Sequence, residues 1–187
     1  MKNKIERYIK NIRDTILAAN QNHDIWWVYK YKDTRSKFLD IMNHYPAFFQ
    51  TSLHAHFAAM VIQLHRLFET RQDTISFPQL IFLLDGNSKL SNNAKRELDS
   101  LLTKAKPIWI KVGIIRSEIF AHANNEATIE KSFKKADIRY GQFKELIDLS
   151  KKISNVITQD FDRSTHTFDL SAGSDTVELL TDLMKAI

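Results

Sequence analysis

Four glycines and three prolines are all that this chain of 187 residues offers for turns, where average usage would supply roughly 22. Turns are therefore few, and a sandwich or barrel built from many hairpins is disfavoured. The apolar residues, 43% of the chain, recur instead at i, i+3, i+4 and i+7, the period of a helix with one buried face. Ile5, Tyr8, Ile9, Ile12, Ile16 and Leu17 predict an amphipathic helix over residues 2–20. Residues 24–31 hold Trp26, Trp27, Tyr29 and Tyr31 and suit either a short helix or an aromatic loop. Aromatic clusters are usually burial, so these four are expected in the core, with a base-stacking surface as the alternative. Residues 34–43 suit another short helix.

Pro46 stands where a first helical turn tolerates proline. It opens the longest apolar pattern, 47 to about 70, with apolar groups on more than one side, as in a central helix. Ser76 is read as the N-cap of a helix ended by Gly86, and Ser91 as the N-cap of one from Asn92 to about Lys104. Pro107 is read as the start of a separate helix through Ile108, Val112, Ile115 and Ile119 that frays near Asn124 and Asn125. A linker is expected from Glu126 to Asp137. A long helix marked by Phe143, Leu146, Ile147, Ile153, Ile157 and Phe161 follows, then a polar loop from Asp162 to Gly173. Asp175 and Glu178 have capping-box spacing at the start of a last helix to Ile187. No linker is long enough to divide the chain, so the expectation is a single all-α domain over residues 1–187, a bundle of long helices joined by shorter ones.

The chain has no cysteine, which removes disulfide scaffolds, thiolate zinc sites and cysteine nucleophiles together. Phosphate-loop, dinucleotide, zincin, EF-hand and nucleophile-elbow motifs are absent, and no cofactor or metal site is expected. No signal peptide or long uncharged apolar run is visible, so a soluble, cytoplasmic protein is expected. The net charge is +5. Much of the excess lies in two stretches, Lys2–Asp14 and Lys131–Lys152, which suit a polyanion such as nucleic acid better than an even spread would.

Three of the seven histidines lie on the central helix. His54 and His65, eleven residues apart, share a face but are about 16 Å apart along the axis. That is too far for one metal ion, and His54 and His56 diverge by about 200°. All three are read as partly buried histidines with local hydrogen bonds, a role at an interface or in nucleic-acid contact being the alternative. His23, His44 and His166 fall in loop-like contexts and carry no signal.

His122 differs. It ends the segment Arg116-Ser117-Glu118-Ile119-Phe120-Ala121-His122 near the expected C-terminus of its helix, where the dipole favours a cation. Glu118, four residues earlier, is placed to orient the ring or hold its proton. Arg116 supplies a fixed charge with a fork suited to phosphate. A proton-transfer group beside such a cation is a minimal kit for cutting RNA without metal. Residues six apart lie about 120° apart around an ideal helix and 9 Å along it. Convergence therefore requires the arginine to reach round, the helix end to unwind, or a second copy of the motif to complete the site.

An R-x5-H motif near the end of a late helix in a small all-α chain resembles the HEPN superfamily (higher eukaryotes and prokaryotes nucleotide-binding), whose signature is R-x4-6-H. The surroundings KVGIIRSEIFAHANNE (Lys111–Glu126) and the earlier LHRLFETRQDTISFPQLI (Leu64–Ile81) are similar to its abortive-infection, phage-defence branch. The resemblance implies an all-α fold, often a homodimer that joins two motifs in one cleft. It also implies either a metal-independent endoribonuclease, including toxins and phage-defence effectors, or an inactive module binding RNA or a nucleotide. Arg116 and His122 match the signature positions. Ser117 stands where active members often carry Asn, Asp or His, and its hydroxyl can still bond a phosphate. Asn124 and Asn125 follow the motif and are candidates for substrate contact or for helix termination.

The expected activity is cleavage of single-stranded or looped RNA by 2′-hydroxyl transesterification in a phage-defence or toxin–antitoxin system. Arg116 would stabilise charge on phosphate, His122 would act as acid or base, and Glu118 would orient it. The rival expectation is a catalytically silent helical module binding RNA, a nucleotide or a protein partner such as an antitoxin. A homodimer is expected, with the helix from Pro107 to His122 at or beside the two-fold axis. Trp109, Ile110, Ile114 and Phe120 lie off the inward stripe, and Gly113 allows close approach.

Overall fold

A computed structural model describes residues 2–121 and 129–186. The described residues form helices and connecting turns with no strand among them, so the fold is all-α as the scarcity of glycine and proline demands. Four long helices make the frame: α1 (Lys2–Lys30), α4 (Pro46–Leu67), α6 (Asn92–Ile115) and α8 (Tyr140–Phe161). The most extensive packing is α1 on α4, then α6 on α8, with α1 also against α8 and α4 against α6. Shorter elements clothe this frame: α2 (Lys32–Lys37), α3 (Leu39–His44), α5 (Phe77–Asp85), α7 (Ile129–Ala136) and α9 (Ala172–Ala186).

The main core runs through all four long helices. Ile12, Ile16, Met60, Leu64, Leu98, Val112, Ile115, Phe143 and Ile153 are essentially sealed from solvent. Burying one such side chain is worth about 1.5–3 kcal/mol relative to leaving it exposed. A smaller cluster of Val28, Tyr29, Phe38, Ile41, Phe49 and Leu180 joins the end of α1 to α3, α4 and α9.

Several expected boundaries move, each for a packing reason. The helix expected over 2–20 continues to Lys30 and absorbs residues 24–30, because His23, Trp26, Val28 and Tyr29 extend the same buried face. His23 is therefore a buried helical residue rather than a loop one. The aromatic cluster divides. Trp26 and Tyr29 are core, Trp27 is half-buried, and Tyr31 is exposed and stacks on Trp27 with centroids 5.1 Å apart. The helix expected over 34–43 is broken at Phe38, whose φ of −110° separates α2 from α3 and whose ring is buried.

Pro107 does not open a helix. It sits inside α6, which runs unbroken from Asn92 to Ile115. The proline leaves the carbonyl four residues earlier without its helical donor, a cost that normally kinks or ends a helix. Here Ala105, Ile108, Val112 and Ile115 are all buried on the side that α6 turns inward. The stretch expected as a linker contains α7 from Ile129 to Ala136, with Ser132 and Ala136 buried.

The two serine caps part company. Ser91 Oγ accepts from the Ala94 amide at 3.2 Å and donates to Asp160 Oδ1 at 2.8 Å, tying the start of α6 to the end of α8. Ser76 precedes α5 without a side-chain cap, and its buried hydroxyl has no partner among the described residues. Gly86 does cap the end of α5, at an ordinary right-handed φ of −60°. Asp175 is not an N-cap: α9 begins three residues earlier, so Asp175 lies in its first turn. Ser171 occupies the preceding position instead, and its backbone carbonyl accepts from Ser174 Oγ at 2.8 Å.

Candidate functional site

Arg116 stands where the hydrogen-bond pattern of α6 changes. From Arg116 to Ala121 the chain makes a π-helical turn, a rare form that recurs at functional sites. A π-turn closes over one residue more than an α-turn, so the backbone of Ala121, the residue before His122, is brought over Arg116. His122, Asn124 and Asn125 lie outside the described residues, as do the side chains of Ile119 and Phe120. Of the six candidate residues, Arg116, Ser117 and Glu118 have described side chains.

Arg116 is exposed, while Ser117 and Glu118 are half-buried. Ser117 and Glu118 line a cleft of about 420 Å³ together with His65, Ile110, Gly113 and Lys135. Glu118 Oε1 accepts from Lys135 Nζ at 2.8 Å. The carboxylate read as an orienter of His122 is thus also the anchor of α7. A second tie lies at the same end of that helix, just past its last residue, where Lys111 Nζ meets Asp137 Oδ2 at 3.0 Å. The Lys111 ammonium holds the Asp137 carboxyl below the usual carboxylate range. These two ion pairs hold the C-terminal end of α7 to α6 and to the π-turn that follows it.

His65 is the residue that sequence reasoning set aside and the structure brings in. It projects from the end of α4 onto α6, where Trp109 Nε1 donates to its backbone carbonyl at 3.1 Å. A Cβ added to Gly113 would lie 3.5 Å from the His65 ring, an ordinary van der Waals contact, so the imidazole lies over this position of α6. The close approach expected at Gly113 was that of a second copy of the chain; within the chain, the neighbour at this position is His65. Nδ1 stands 3.8 Å from Glu69 Oε2. Burial lowers the His65 pKa, the positive charge of Arg116 lowers it further, and Glu69 opposes both. His65 is thus a neutral imidazole at neutral pH, held beside the motif arginine. Residues 65 and 116 are too far apart in sequence for any local pattern to reveal this.

The other histidines of α4 differ from the common reading given them. His56 is half-buried, with Nδ1 2.8 Å from Asn22 Oδ1, and burial lowers its pKa. His54 is exposed rather than partly buried. Of the stretch Lys131–Lys152, Lys144 pairs with Asp148 and Lys151 turns inward onto Asn20 Oδ1 at 2.7 Å. Lys131, Lys134, Arg139 and Lys152 remain exposed. Of the expected spare apolar groups on α6, Trp109 and Ile114 pack against the core, while Ile110 is 49% exposed.

An all-α bundle in which a late helix gives way to an Arg-led turn is the arrangement that the HEPN resemblance implies. The family model HEPN_AbiU2, described as AbiU2, matches residues 2–179. The chain therefore belongs to the AbiU2 family of HEPN domains, an abortive-infection-related group. No curated protein and no solved structure matches it.

Proposed function

We propose that this HEPN domain is a metal-independent endoribonuclease acting in phage defence or as the toxin of a toxin–antitoxin pair. The observation that carries the reading is the placement of Arg116: exposed, at the head of a π-turn, and followed by Ser117 and Glu118, which line an open cleft shared with the His65 imidazole. In the proposed reaction the 2′-hydroxyl of RNA attacks the adjacent phosphorus and the bond to the 5′-oxygen breaks. A cyclic phosphate and a 5′-hydroxyl result. Arg116 neutralises charge on the phosphate. His122 takes or gives the proton at the reacting oxygens, and Ser117 donates a hydrogen bond to a phosphate oxygen. Asn124 and Asn125 follow the motif as substrate contacts.

The proposed RNA substrate goes with a cytoplasmic site of action. The exposed cations of α7 and the basic start of α1 are the proposed phosphate contacts. Their binding should weaken with salt, at a slope near −0.7 per contact on single strands. A toxin of this kind would be restrained by an antitoxin or another protein partner. A second copy of the chain, related by an axis near the end of α6, would bring Arg116 of one protomer toward His122 of the other.

One observation favours a second reading. Ser117 is a weaker phosphate organiser than an amide would be, and Glu118 is already engaged by Lys135, as suits a silent module that binds RNA, a nucleotide or a protein. Incubation with total RNA in chelator separates the two. Cleavage by the wild type, lost by about 10²–10⁴-fold in Arg116→Ala and His122→Ala with the fold intact, supports the nuclease. Binding without cleavage supports the module.

A further inference from the structure

A second opening lies on the face of α4 that carries His65, nearer the start of that helix. Trp26, Phe57, Phe133 and Tyr140 wall a pocket of about 200 Å³, with Lys30 and His54 at its rim. The four rings form a closed set. Trp26 and Phe57 stack with centroids 5.3 Å apart, Phe57 and Phe133 at 5.7 Å. Phe133 meets Tyr140 edge to face at 5.2 Å, and Tyr140 meets Trp26 in the same way at 5.6 Å. Trp26 and Phe57 are floor, each 3% exposed, whereas Tyr140 is 40% exposed. The Lys30 ammonium stands 5.5 Å from the Tyr140 ring centroid.

We infer that this pocket is a subsite for one unstacked base of single-stranded RNA, with Lys30 at the phosphate beside it. The inference rests on the nuclease or RNA-binding reading above. Three observations favour a base over a protein side chain or a lipid. The cavity is small and walled by aromatic side chains, the residue type on which bases stack whatever their identity. Its rim carries a cation, and the exposed Lys131 and Lys134 lie on the same helix as Phe133, so charge complements a polyanion. The pocket is also in register with the motif. His54 and His65 share one face of α4, and Phe57 lies eight residues before His65, about 12 Å along the axis. The short helix α7 spans both places, giving Phe133 to the pocket and Lys135 to Glu118. A strand whose base occupies the pocket would thus meet the Arg116 cleft a few nucleotides along.

The test uses a fluorescein-labelled ten-residue oligouridine and the full chain carrying His122→Ala, so that RNA stays uncut. Anisotropy at low salt is read for three further substitutions at exposed positions: Tyr140→Ala, Tyr140→Trp and Lys30→Glu. Stacking on one aromatic ring corresponds to about a 5- to 160-fold change in affinity. The expected result is a loss of that size in Tyr140→Ala, retention in Tyr140→Trp, and a loss in Lys30→Glu. A 4-thiouridine version should also photocrosslink to the peptide holding Phe133 or Tyr140. RNA binding that is unchanged in Tyr140→Ala and Lys30→Glu overturns the subsite and leaves the RNA reading standing. An absence of binding before any of the three is introduced overturns both.

Discussion

The ammonium of Lys135 donates to Glu118 Oε1 at 2.8 Å, joining α7 to the π-turn across the segment that contains His122. A pair this exposed contributes at most about 1 kcal/mol to global stability. Its larger effect is local, because this tie and the neighbouring Lys111–Asp137 pair hold the C-terminal end of α7 to the rest of the chain. Lys135→Ala should leave the thermal midpoint nearly unchanged while amide exchange in Ile129–Ala136 quickens. Exchange as slow as in the wild type would show that Phe133 and Ala136 alone hold the helix.

His56 and His65 both hold a proton less tightly than a free histidine, since burial penalises the imidazolium and, at His65, Arg116 adds to the penalty. The unfolded chain protonates these sites near pH 6.5, the folded chain only at lower pH. Between the two values the unfolded state binds more protons, so stability rises with pH. The contribution is complete above pH 6.5 and is lost as pH falls from that value through the lower folded one. Urea unfolding should therefore show a lower midpoint at about pH 5.5 than at about pH 7.5, with a slope of at most about 1.4 kcal/mol per pH unit for each histidine. His65→Gln and His56→Gln should each flatten the dependence; an unaltered slope in both would assign it to other groups.

Ser91 and Ser76 look alike in sequence and should behave oppositely. Ser91 caps α6 and bonds Asp160 across the bundle, so Ser91→Ala should cost about 0.5–2 kcal/mol. Ser76 keeps a buried hydroxyl with no partner among the described residues. Removing such a group sheds a desolvation penalty, and Ser76→Ala should be neutral or stabilising. Equilibrium denaturation of both variants decides; equal losses would mean that Ser76 finds a partner in solution.

These contrasts show where sequence was readable. The 3.6-residue period of Leu64, Leu98, Val112 or Ile153 is a local signal, and it predicted buried faces that the structure confirms. Ser91 was recognisable because an N-cap acts within three residues. Pro107 misled because the local rule says a proline opens a helix, whereas burial of Ala105 and Ile108 on both sides of it keeps α6 whole. The helix α7 carried a legible signal, Ser132 and Ala136 inward among charged neighbours, but Glu126–Asp137 was read as linker on composition. At the site, the Arg116 motif was visible as a pattern. Its neighbour His65 was not, since the contact of α4 with α6 at Gly113 depends on how the bundle closes.

The proposed dimer makes the sharpest demand on the motif. Within one chain, Arg116 and a residue six positions later diverge on an ideal helix, and a two-fold axis near the end of α6 would let the arginine of one protomer serve the histidine of the other. Ile110 stands 49% exposed beside the cleft, an apolar group without cover on the described surface. Ile110→Asp should shift sedimentation at micromolar concentration from dimer to the 21.8 kDa monomer and reduce RNA cleavage with it. Mixing tests the shared site directly. A heterodimer of Arg116→Ala and His122→Ala chains keeps one cleft with both groups intact if each cleft draws on two protomers, and none if each protomer works alone. With random pairing half the dimers are mixed, each with one intact cleft of two, so the mixture should recover about a quarter of wild-type cleavage. No recovery from a mixture that sediments as dimer would return catalysis to the single chain.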